Sequence, residues 1–517
     1  MTADQAGPVA RTPHGAVRGR YEHGIAVFRG IPYAAPPFGP RRFRAPEPPE
    51  PWEGVRDAGA FGPTPPKPPY SEAFAQYLSD PSIPGDDCLN LNVWTPEPGP
   101  GARLPVLVWL HGGALTRGSS AVPVYDGRAF ARDGVVLVSV NYRLGVEGYG
   151  LFPDAPANLG LRDQLAALRW VHESIAAFGG DPGNVTLAGQ SAGAISTGVL
   201  IAAPQARGLV RRAVLQSGAP EVSDREKVRR MVRRMATRLK VPATAAAFAA
   251  VDRDLLLRTQ AEVSRRSSPL LGGPGFGIVV DGDLVPADPL RALVGGDAAP
   301  GIDLLMGWTR DEYRLWLVPG GLVEHVDRLG AVALAGAMAR CHAGSEVPRG
   351  YRALHPSAGA AELVGQLVTD HMLRLPLHRL ADARPSHSHV YEFAWPSLRP
   401  GLGACHSLEL GFVFDTGEVE EAVKLAGHGG PQSLADTMHA SWVDFATTGD
   451  PGWPSWTATH PTRVFDTTGP HLAQGPRDAE LALWPTRPLL PSQPPSPPAD
   501  RLAAVRRLRR SAVLRRR

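Results

Sequence analysis

The sequence predicts an α/β fold, in which helices flank a mostly parallel central sheet, and three observations support this prediction. Continuous apolar runs at residues 104–110 and 135–142 are typical of strands that are buried on both faces. Apolar residues recur at helical spacing over residues 161–178, which follow the second of these runs. Strands that alternate with helices indicate a parallel sheet with a functional site at the carboxyl ends of its strands.

The N-terminal part of the chain predicts a small antiparallel region and a long irregular segment. Glycines and β-forming residues at 15–19 and 25–33 are typical of one hairpin. Residues 36–69 contain so many prolines that regular structure is not expected, and we expect them to wrap the surface. Alternating apolar residues at 89–94 then predict a strand.

The later part of the chain continues the alternation of strand and helix. Further strands are predicted at residues 213–217, 302–309 and 389–393. Helix-rich stretches around residues 220–300 and 315–385 interrupt this pattern, and we expect them to be insertions that form the walls of a pocket. Within the first of them, residues 267–273 fit either a loop that lines the pocket or an ordinary surface turn.

A Gly-x-Ser-x-Gly motif, Gly189 to Gly193, stands between a predicted strand and a predicted helix. This context is the one that a nucleophile elbow requires. The turn forces the serine into strained backbone dihedrals, which are tolerable only if the flanking residues almost lack side chains. The motif therefore predicts Ser191 as a nucleophile presented at the edge of the sheet.

A second glycine motif, His111-Gly112-Gly113-Ala114, directly follows the predicted strand at residues 104–110. Small residues at such a place let the backbone approach a ligand and direct N–H groups at a developing oxyanion. An ordinary glycine turn would have the same composition. The combination with the Ser191 motif favours the oxyanion loop.

A serine nucleophile needs a neutral imidazole to take its proton, and the imidazole needs a carboxylate that fixes its tautomer. In the chain order of α/β hydrolases, the acid and then the histidine follow the serine on loops after later strands. The loop after residues 302–309 carries Asp311 and Glu312, and the loop beyond residues 389–393 carries His406. The residues alone leave both acids open. Two histidines on predicted helices also stay open as the base, namely His371 and His439.

Charge is distributed unevenly along the chain. Residues 501–517 contain eight arginines and no acid, so removing them from the formal charge of +4 leaves residues 1–500 at −4. We therefore expect no nucleic-acid binding by the main domain. The sequence divides into a catalytic domain, residues 1–484, a proline-rich linker, residues 485–500, and the arginine-rich tail. The tail fits either an amphipathic helix that makes peripheral contact with an anionic membrane or an extension without function.

The three cysteines, Cys88, Cys341 and Cys405, are too sparse for a disulfide framework and predict a cytoplasmic protein with reduced thiols. The first residues lack the basic and apolar regions of a signal peptide. No run of about 18 apolar residues predicts a membrane span. We expect no cofactor and no metal at the site, and the oligomeric state stays open.

Taken in order, these motifs resemble those of the type B carboxylesterases, a family that includes para-nitrobenzyl-esterase-like enzymes and cholinesterases. The resemblance implies an α/β-hydrolase fold and a serine carboxylic-ester hydrolase that acts through an acyl-enzyme on small to medium esters. It implies Ser191 as nucleophile, Glu312 as acid and His406 as base. The implied oxyanion hole consists of the backbone N–H groups of Gly113, Ala114 and Ala192. The matching stretches include residues 28–34, 87–94, 111–114, 141–145, 178–191, 216–218, 311–312, 406–414 and 442–451.

Two departures and two alternatives bear on the substrate. Cholinesterases carry glutamate before the serine and an upstream tryptophan, whereas this chain has Gln190 and no tryptophan between Trp52 and Trp94, which argues against choline esters. Some relatives are binding modules without the nucleophile, but the intact set of Ser191, Glu312 and His406 argues against that function. Amide, carbamate or thioester substrates for the same triad stay open.

Overall fold

The computed structural model describes residues 7–265, 275–296 and 298–485. The possible pocket loop at residues 267–273, the arginine-rich tail and all but the first residue of the predicted linker lie outside the described residues.

The strands form two sheets. Their bounds are β1 Val9–Thr12, β2 Gly15–Arg18, β3 Arg20–Glu22, β4 Ile25–Pro32, β5 Val55–Asp57, β6 Asn90–Thr95, β7 Leu104–Leu110, β8 Val136–Val140, β9 Gly180–Gln190, β10 Arg212–Gln216, β11 Asp303–Thr309, β12 Ser388–Phe393, β13 Pro461–Asp466 and β14 Gly469–Gln474. A large sheet of 11 strands has the order β14-β13-β12-β11-β10-β9-β7-β8-β6-β4-β3. A small sheet of 3 strands has the order β1-β2-β5.

The centre of the large sheet is parallel and its margins are antiparallel. Every neighbouring pair from β8 through β7 to β13 is parallel, whereas β3, β4, β6 and β14 pair antiparallel. Central strands such as β8 and β10 are buried at every position, because helices cover both faces of a parallel sheet. The predicted α/β fold with a mostly parallel sheet is confirmed.

Helices connect the parallel strands and supply both predicted insertions. Their bounds are α1 Glu72–Ala75, α2 Arg128–Arg132, α3 Gly145–Tyr149, α4 Leu159–Ser174, α5 Ala192–Ala202, α6 Arg225–Leu239, α7 Ala245–Ala249, α8 Arg253–Ser264, α9 Pro289–Val294, α10 Arg314–Leu317, α11 Val323–Leu329, α12 Ala331–Cys341, α13 Glu346–Leu354, α14 Ala360–Thr369, α15 Leu375–Ala383, α16 Leu410–Val413, α17 Glu420–Ala426, α18 Gln432–Thr448 and α19 Asp478–Leu481. Helices α6 to α9 lie between β10 and β11, and α10 to α15 lie between β11 and β12. No helix among the described residues is long and apolar enough to cross a membrane.

The predicted N-terminal hairpin is wrong in its pairing. Strand β2 pairs with β1 in the small sheet, and β4 pairs with β3 in the large sheet, so two hairpins replace one. The chain passes from one sheet to the other at Gly19, where an added Cβ would lie 2.3 Å from the carbonyl oxygen of Val27. Only glycine fits this close crossing of two backbones, and the alternation of residue types did not reveal it.

Candidate active site

The predicted elbow is a strained turn between β9 and α5. Ser191 has φ 56° and ψ −123°, a conformation that non-glycine residues rarely adopt. A Cβ on Gly189 would lie 2.4 Å from the carbonyl carbon of Gly193, and a Cβ on Gly193 would lie 2.0 Å from the oxygen of Leu110. Both glycines are therefore required where the turn packs against the end of β7.

Glu312 and His406 lie far apart in the sequence and contact each other in the structure. Nδ1 of His406 is 2.5 Å from Oε2 of Glu312, and the backbone N–H of Thr309 donates to the other carboxylate oxygen at 2.9 Å. Burial alone would raise the pKa of Glu312, but the charge and hydrogen bond of His406 outweigh it and hold that pKa below its usual value. The carboxylate accepts a hydrogen bond from the Nδ1–H, so Nε2 is the ring nitrogen that can take a proton.

Asp311 is the other carboxylate that the sequence allowed as the acid. It does not contact the imidazole in this structure, and it holds the loop that carries His406. Its side chain accepts a hydrogen bond from the N–H of Ala404 at 3.0 Å, and its own N–H donates to the carbonyl of Ala404 at 2.8 Å. This loop in turn sets the position of the imidazole relative to Glu312.

The two other histidines that the sequence left open lie elsewhere. Nδ1 of His439 donates to the carbonyl of Val413 at 2.7 Å, with the ring buried on α18. His371 stacks on Trp484 with a distance of 5.6 Å between the ring centroids. Neither lines the cavity that Ser191 and His406 share.

Gln190 makes a contact at the base that sequence reasoning missed. Its Nε2 lies 3.1 Å from Nε2 of His406. Among the described residues, no hydrogen bond joins Oγ of Ser191 to His406, although both line one cavity. A hydrogen bond from Oγ of Ser191 to Nε2 of His406 therefore requires the Gln190 amide to move. Catalytic hydrogen bonds often form fully only when substrate is bound. The sequence motif gave no signal for this contact.

The loop after β7 has three successive residues with positive φ. Gly113, Ala114 and Leu115 have φ of 117°, 55° and 59°, and the N–H groups of Thr116 and Arg117 both donate to the carbonyl of Gly113. Within the described residues, no hydrogen bond uses the N–H of Gly113 or Ala114. Ala192 begins α5, where the first N–H groups of a helix lack intrahelical partners.

Buried contacts hold the start of the loop after β7 in place. The hydroxyl of Tyr142 donates to the carbonyl of His111 at 2.6 Å, and the two rings stack with 4.4 Å between centroids. Burial lowers the pKa of His111 to about 3, so its Nδ1 donates to the carbonyl of Gly112 from a neutral ring. The start of the loop is thereby rigid and carries no side-chain charge.

A buried ion pair that sequence reasoning missed fastens the far end of the loop. Nζ of Lys67 lies 2.8 Å from Oδ1 of Asp80. Nζ also donates to the carbonyl of Gly118 at 3.2 Å, and the N–H of Gly118 donates to Oδ2 of Asp80 at 3.1 Å. The end of the proline-rich segment is thus attached to the predicted oxyanion loop. No spacing rule links a lysine and an aspartate across an irregular segment.

The candidate site opens into a cavity of about 700 Å³. Both predicted insertions contribute to its walls, through Gln260 and Ser264 on α8 and through Leu315 and Trp316 on α10. Three further segments that the sequence did not assign to the pocket also line it, at residues 68–79, 122–125 and 407–425. Large apolar or aromatic residues of the walls include Phe74, Tyr77, Leu78, Val122, Val124, Leu322, Leu408, Leu410 and Leu425.

Glu409 is a second buried carboxyl group close to the site. Burial first, and the negative charge of Glu312 second, raise its pKa to about 7. Nε2 of Gln216 donates to Oε1 of Glu409 at 3.3 Å. The indole N–H of Trp442 donates to Oε1 of the same glutamine at 2.9 Å and so orients its amide. Because the pKa is raised on folding, the stability that protonated Glu409 contributes is fully present below about pH 4.5 and is lost as the pH rises through about 7.

We expect Glu409→Gln to remove this pH dependence. Between about pH 5 and about pH 8, the free energy of unfolding of the unsubstituted protein should fall by on the order of 3 kcal/mol relative to the variant. Urea denaturation at both pH values measures the difference. Glu418→Gln is the matched control, because Glu418 is exposed. Equal pH dependence of Glu409→Gln and the unsubstituted protein would contradict the prediction.

Comparisons with known proteins point to one family. Residues 6–484 match the model of the carboxylesterase family. The chain is 35% identical over 487 residues to a para-nitrobenzyl esterase of Bacillus subtilis (strain 168), which covers 89% of this chain and 94% of the relative. It is 34% identical over 479 residues to a phenmedipham hydrolase of Pseudarthrobacter oxydans, with 88% and 94% covered.

Solved structures lead to the same family. A carboxylesterase of Geobacillus stearothermophilus superimposes with a TM-score of 0.82 at 36% identity, covering 92% of this chain and 100% of that one. A para-nitrobenzyl esterase structure superimposes with a TM-score of 0.78 at 32% identity, covering 93% and 99%. A strained serine, a buried histidine–glutamate pair and matches over nearly the whole chain thus lead to one conclusion: this chain belongs to the carboxylesterase family and is a serine carboxylic-ester hydrolase.

Proposed function

We propose that Ser191, His406 and Glu312 hydrolyse an ester in two acyl-transfer steps. Oγ of Ser191 attacks the ester carbonyl and its proton passes to Nε2 of His406, which then gives that proton to the leaving alcohol. Water attacks the acyl-enzyme in the second step, with His406 again as the base, and Ser191 regains its proton. Glu312 holds the imidazole in its tautomer and stabilises the imidazolium that forms in each step.

The observation that carries this proposal is the convergence of these groups on one cavity. Ser191 and His406 both line it, and so do Gly113 and Ala114, whose N–H groups have no partner among the described residues. We propose that these two N–H groups and that of Ala192 bind the oxyanion of the tetrahedral intermediate. Fixed main-chain donors suit this role, since they need no reorganisation when the charge develops.

The proposed substrates are small to medium esters with an apolar or aromatic group on at least one side of the ester bond. The volume of the cavity, about 700 Å³, falls within the range of small-molecule sites. Its walls carry several aromatic rings, and Trp316 lies with its ring centroid 4.9 Å from that of His406, next to the reacting centre. A relative named para-nitrobenzyl esterase supports an aromatic group on the alcohol side.

Active-site labelling and an ester panel test the proposal. A fluorophosphonate probe should label the protein once, and peptide mapping should place the adduct on Ser191. The panel should vary the acyl and alcohol groups separately, with a choline ester, a carbamate and a thioester included. Aryl or benzyl esters should be hydrolysed with a higher kcat/KM than the choline ester. Labelling at another residue would refute the assigned nucleophile, and preference for the choline ester would refute the apolar substrate.

A further inference from the structure

Two histidines and an aspartate form a cluster at the opposite end of the parallel strands from the proposed active site. His378 lies on α15, His460 directly precedes β13, and Asp478 begins α19. The start of β13 is at the amino ends of the parallel strands, whereas Ser191 follows the carboxyl end of β9. None of the three cluster residues lines the cavity, so the esterase mechanism does not use them.

The side chains of this cluster converge to within the reach of one ion. Each residue offers one ring nitrogen or carboxylate oxygen, and these three atoms lie within 4.8 Å of one another. Nδ1 of His460 is 2.8 Å from Oδ1 of Asp478. Trp456 fixes both imidazoles, because its ring stacks on His460 with 4.6 Å between centroids and meets His378 edge-on at 4.9 Å. Three separate segments of the chain therefore bring possible ligand atoms close together.

His378 provides an independent indication of a ligand. Its side chain is enclosed, with the residue only 8% exposed, and its Nε2 is buried with no hydrogen-bond partner among the described residues. A buried polar atom without a partner is unfavourable and uncommon in folded proteins.

We propose that His378, His460 and Asp478 bind one divalent cation of the zinc type, with water in the remaining position. Two imidazole nitrogens and one carboxylate oxygen are a donor set that suits Zn²⁺ or Co²⁺ and is poor for Ca²⁺ and Mg²⁺, which prefer oxygen alone. At zinc bond lengths of about 2.0–2.2 Å, tetrahedral ligands lie about 3.4 Å apart. The ligand atoms now lie within 4.8 Å of one another, so binding would draw them closer by up to about 1.4 Å.

Such an ion would act as a structural link. It would join α19, the last helix among the described residues, to α15 and to the start of β13 at the margin of the large sheet. Asp382 adds negative charge close by, with Oδ1 3.7 Å from Nε2 of His460 and hydrogen-bonded to Nε1 of Trp456. Binding should therefore stabilise the fold without changing the esterase reaction.

Metal titration of the full-length protein after chelator treatment tests this site. Addition of Co²⁺ should produce the visible absorption of a four-coordinate ion and saturate at one equivalent, and Zn²⁺ should displace it. Substitutions His460→Ala and Asp478→Asn should each weaken Zn²⁺ binding by at least about 100-fold, since even the loss of a residue that only orients a ligand costs 10–100-fold. Zn²⁺ should also raise the Tm of the unsubstituted protein and leave that of both variants unchanged.

His387→Ala is the matched control. His387 forms an exposed pair with Asp303, with 2.8 Å between Nδ1 and Oδ1, and is not part of the cluster. This variant should bind Zn²⁺ as the unsubstituted protein does, and unchanged ester hydrolysis shows that each variant is folded. Asp478→Asn preserves side-chain size, so it remains informative if His460→Ala does not fold. Absence of saturable Co²⁺ binding, or equal affinity in all variants, would overturn the proposal.

Discussion

Replacement of Ser191 by alanine should lower kcat/KM for an aryl ester by roughly 10⁴-fold or more. In the proposed mechanism, the substitution removes the Oγ that forms the acyl bond and leaves the proposed oxyanion donors in place. The residual rate should therefore exceed that of the uncatalysed reaction, because binding and the N–H groups still act on the carbonyl. Steady-state hydrolysis of a chromogenic aryl ester measures the loss.

Ser264→Ala provides a matched control for this substitution. Ser264 lies on α8 and lines the same cavity, so the same atom is removed from the same space. Its kcat/KM should stay within about ten-fold of the unsubstituted enzyme, since no reacting atom is lost. Activity of Ser191→Ala close to that of the control would show that another residue is the nucleophile.

Replacement of Glu312 by glutamine should lower kcat by about 10⁴-fold with little change in KM. Glutamine keeps the shape of the side chain but carries no charge, and its amide can donate to Nδ1, which favours the tautomer with the proton on Nε2. In that tautomer Nε2 already carries a proton, so it cannot accept the proton of Ser191. The change acts in the transition state, when the imidazolium forms, so substrate binding is largely unaffected.

Asp311→Asn is the matched control, because it neutralises the neighbouring carboxylate. Asp311 contacts the backbone of Ala404, and asparagine retains an oxygen that can accept the same hydrogen bond. We expect a loss of less than about ten-fold in kcat. If Asp311→Asn proved as damaging as Glu312→Gln, or Glu312→Gln retained full activity, the assignment of the acid would have to be abandoned. Thermal unfolding of both variants separates loss of activity from loss of structure.

Local sequence patterns were sufficient for the fold class and for the strained turn at Ser191. Continuous apolar runs predicted β7 and β8 because strands buried on both faces consist mainly of apolar residues. The glycines on either side of Ser191 predicted a strained turn because only residues without a Cβ fit its close contacts. The family resemblance supplied the ester-hydrolase class, which the comparisons confirm. Location in the cytoplasm, by contrast, stays a prediction.

Contacts between distant segments were beyond these patterns. The sequence left Asp311 and Glu312 open as the acid, and the resemblance favoured Glu312 without a physical reason. In the structure, Glu312 contacts the imidazole of His406 while Asp311 holds its loop. The contact of Gln190 with the base and the attachment of the oxyanion loop by Lys67 and Asp80 were also not predicted.

The sequence alone determined the features that depend on neighbouring residues, and the tertiary structure determined those that depend on contacts between distant segments. Strand burial, helical spacing and the elbow depend on neighbours a few positions away, so the amino-acid order alone specified them. The contact between Glu312 and His406, the walls of the cavity and the cluster of His378, His460 and Asp478 depend on which loops the sheet brings together. Those distances are set by the packing of the whole chain, and only the tertiary structure decided them.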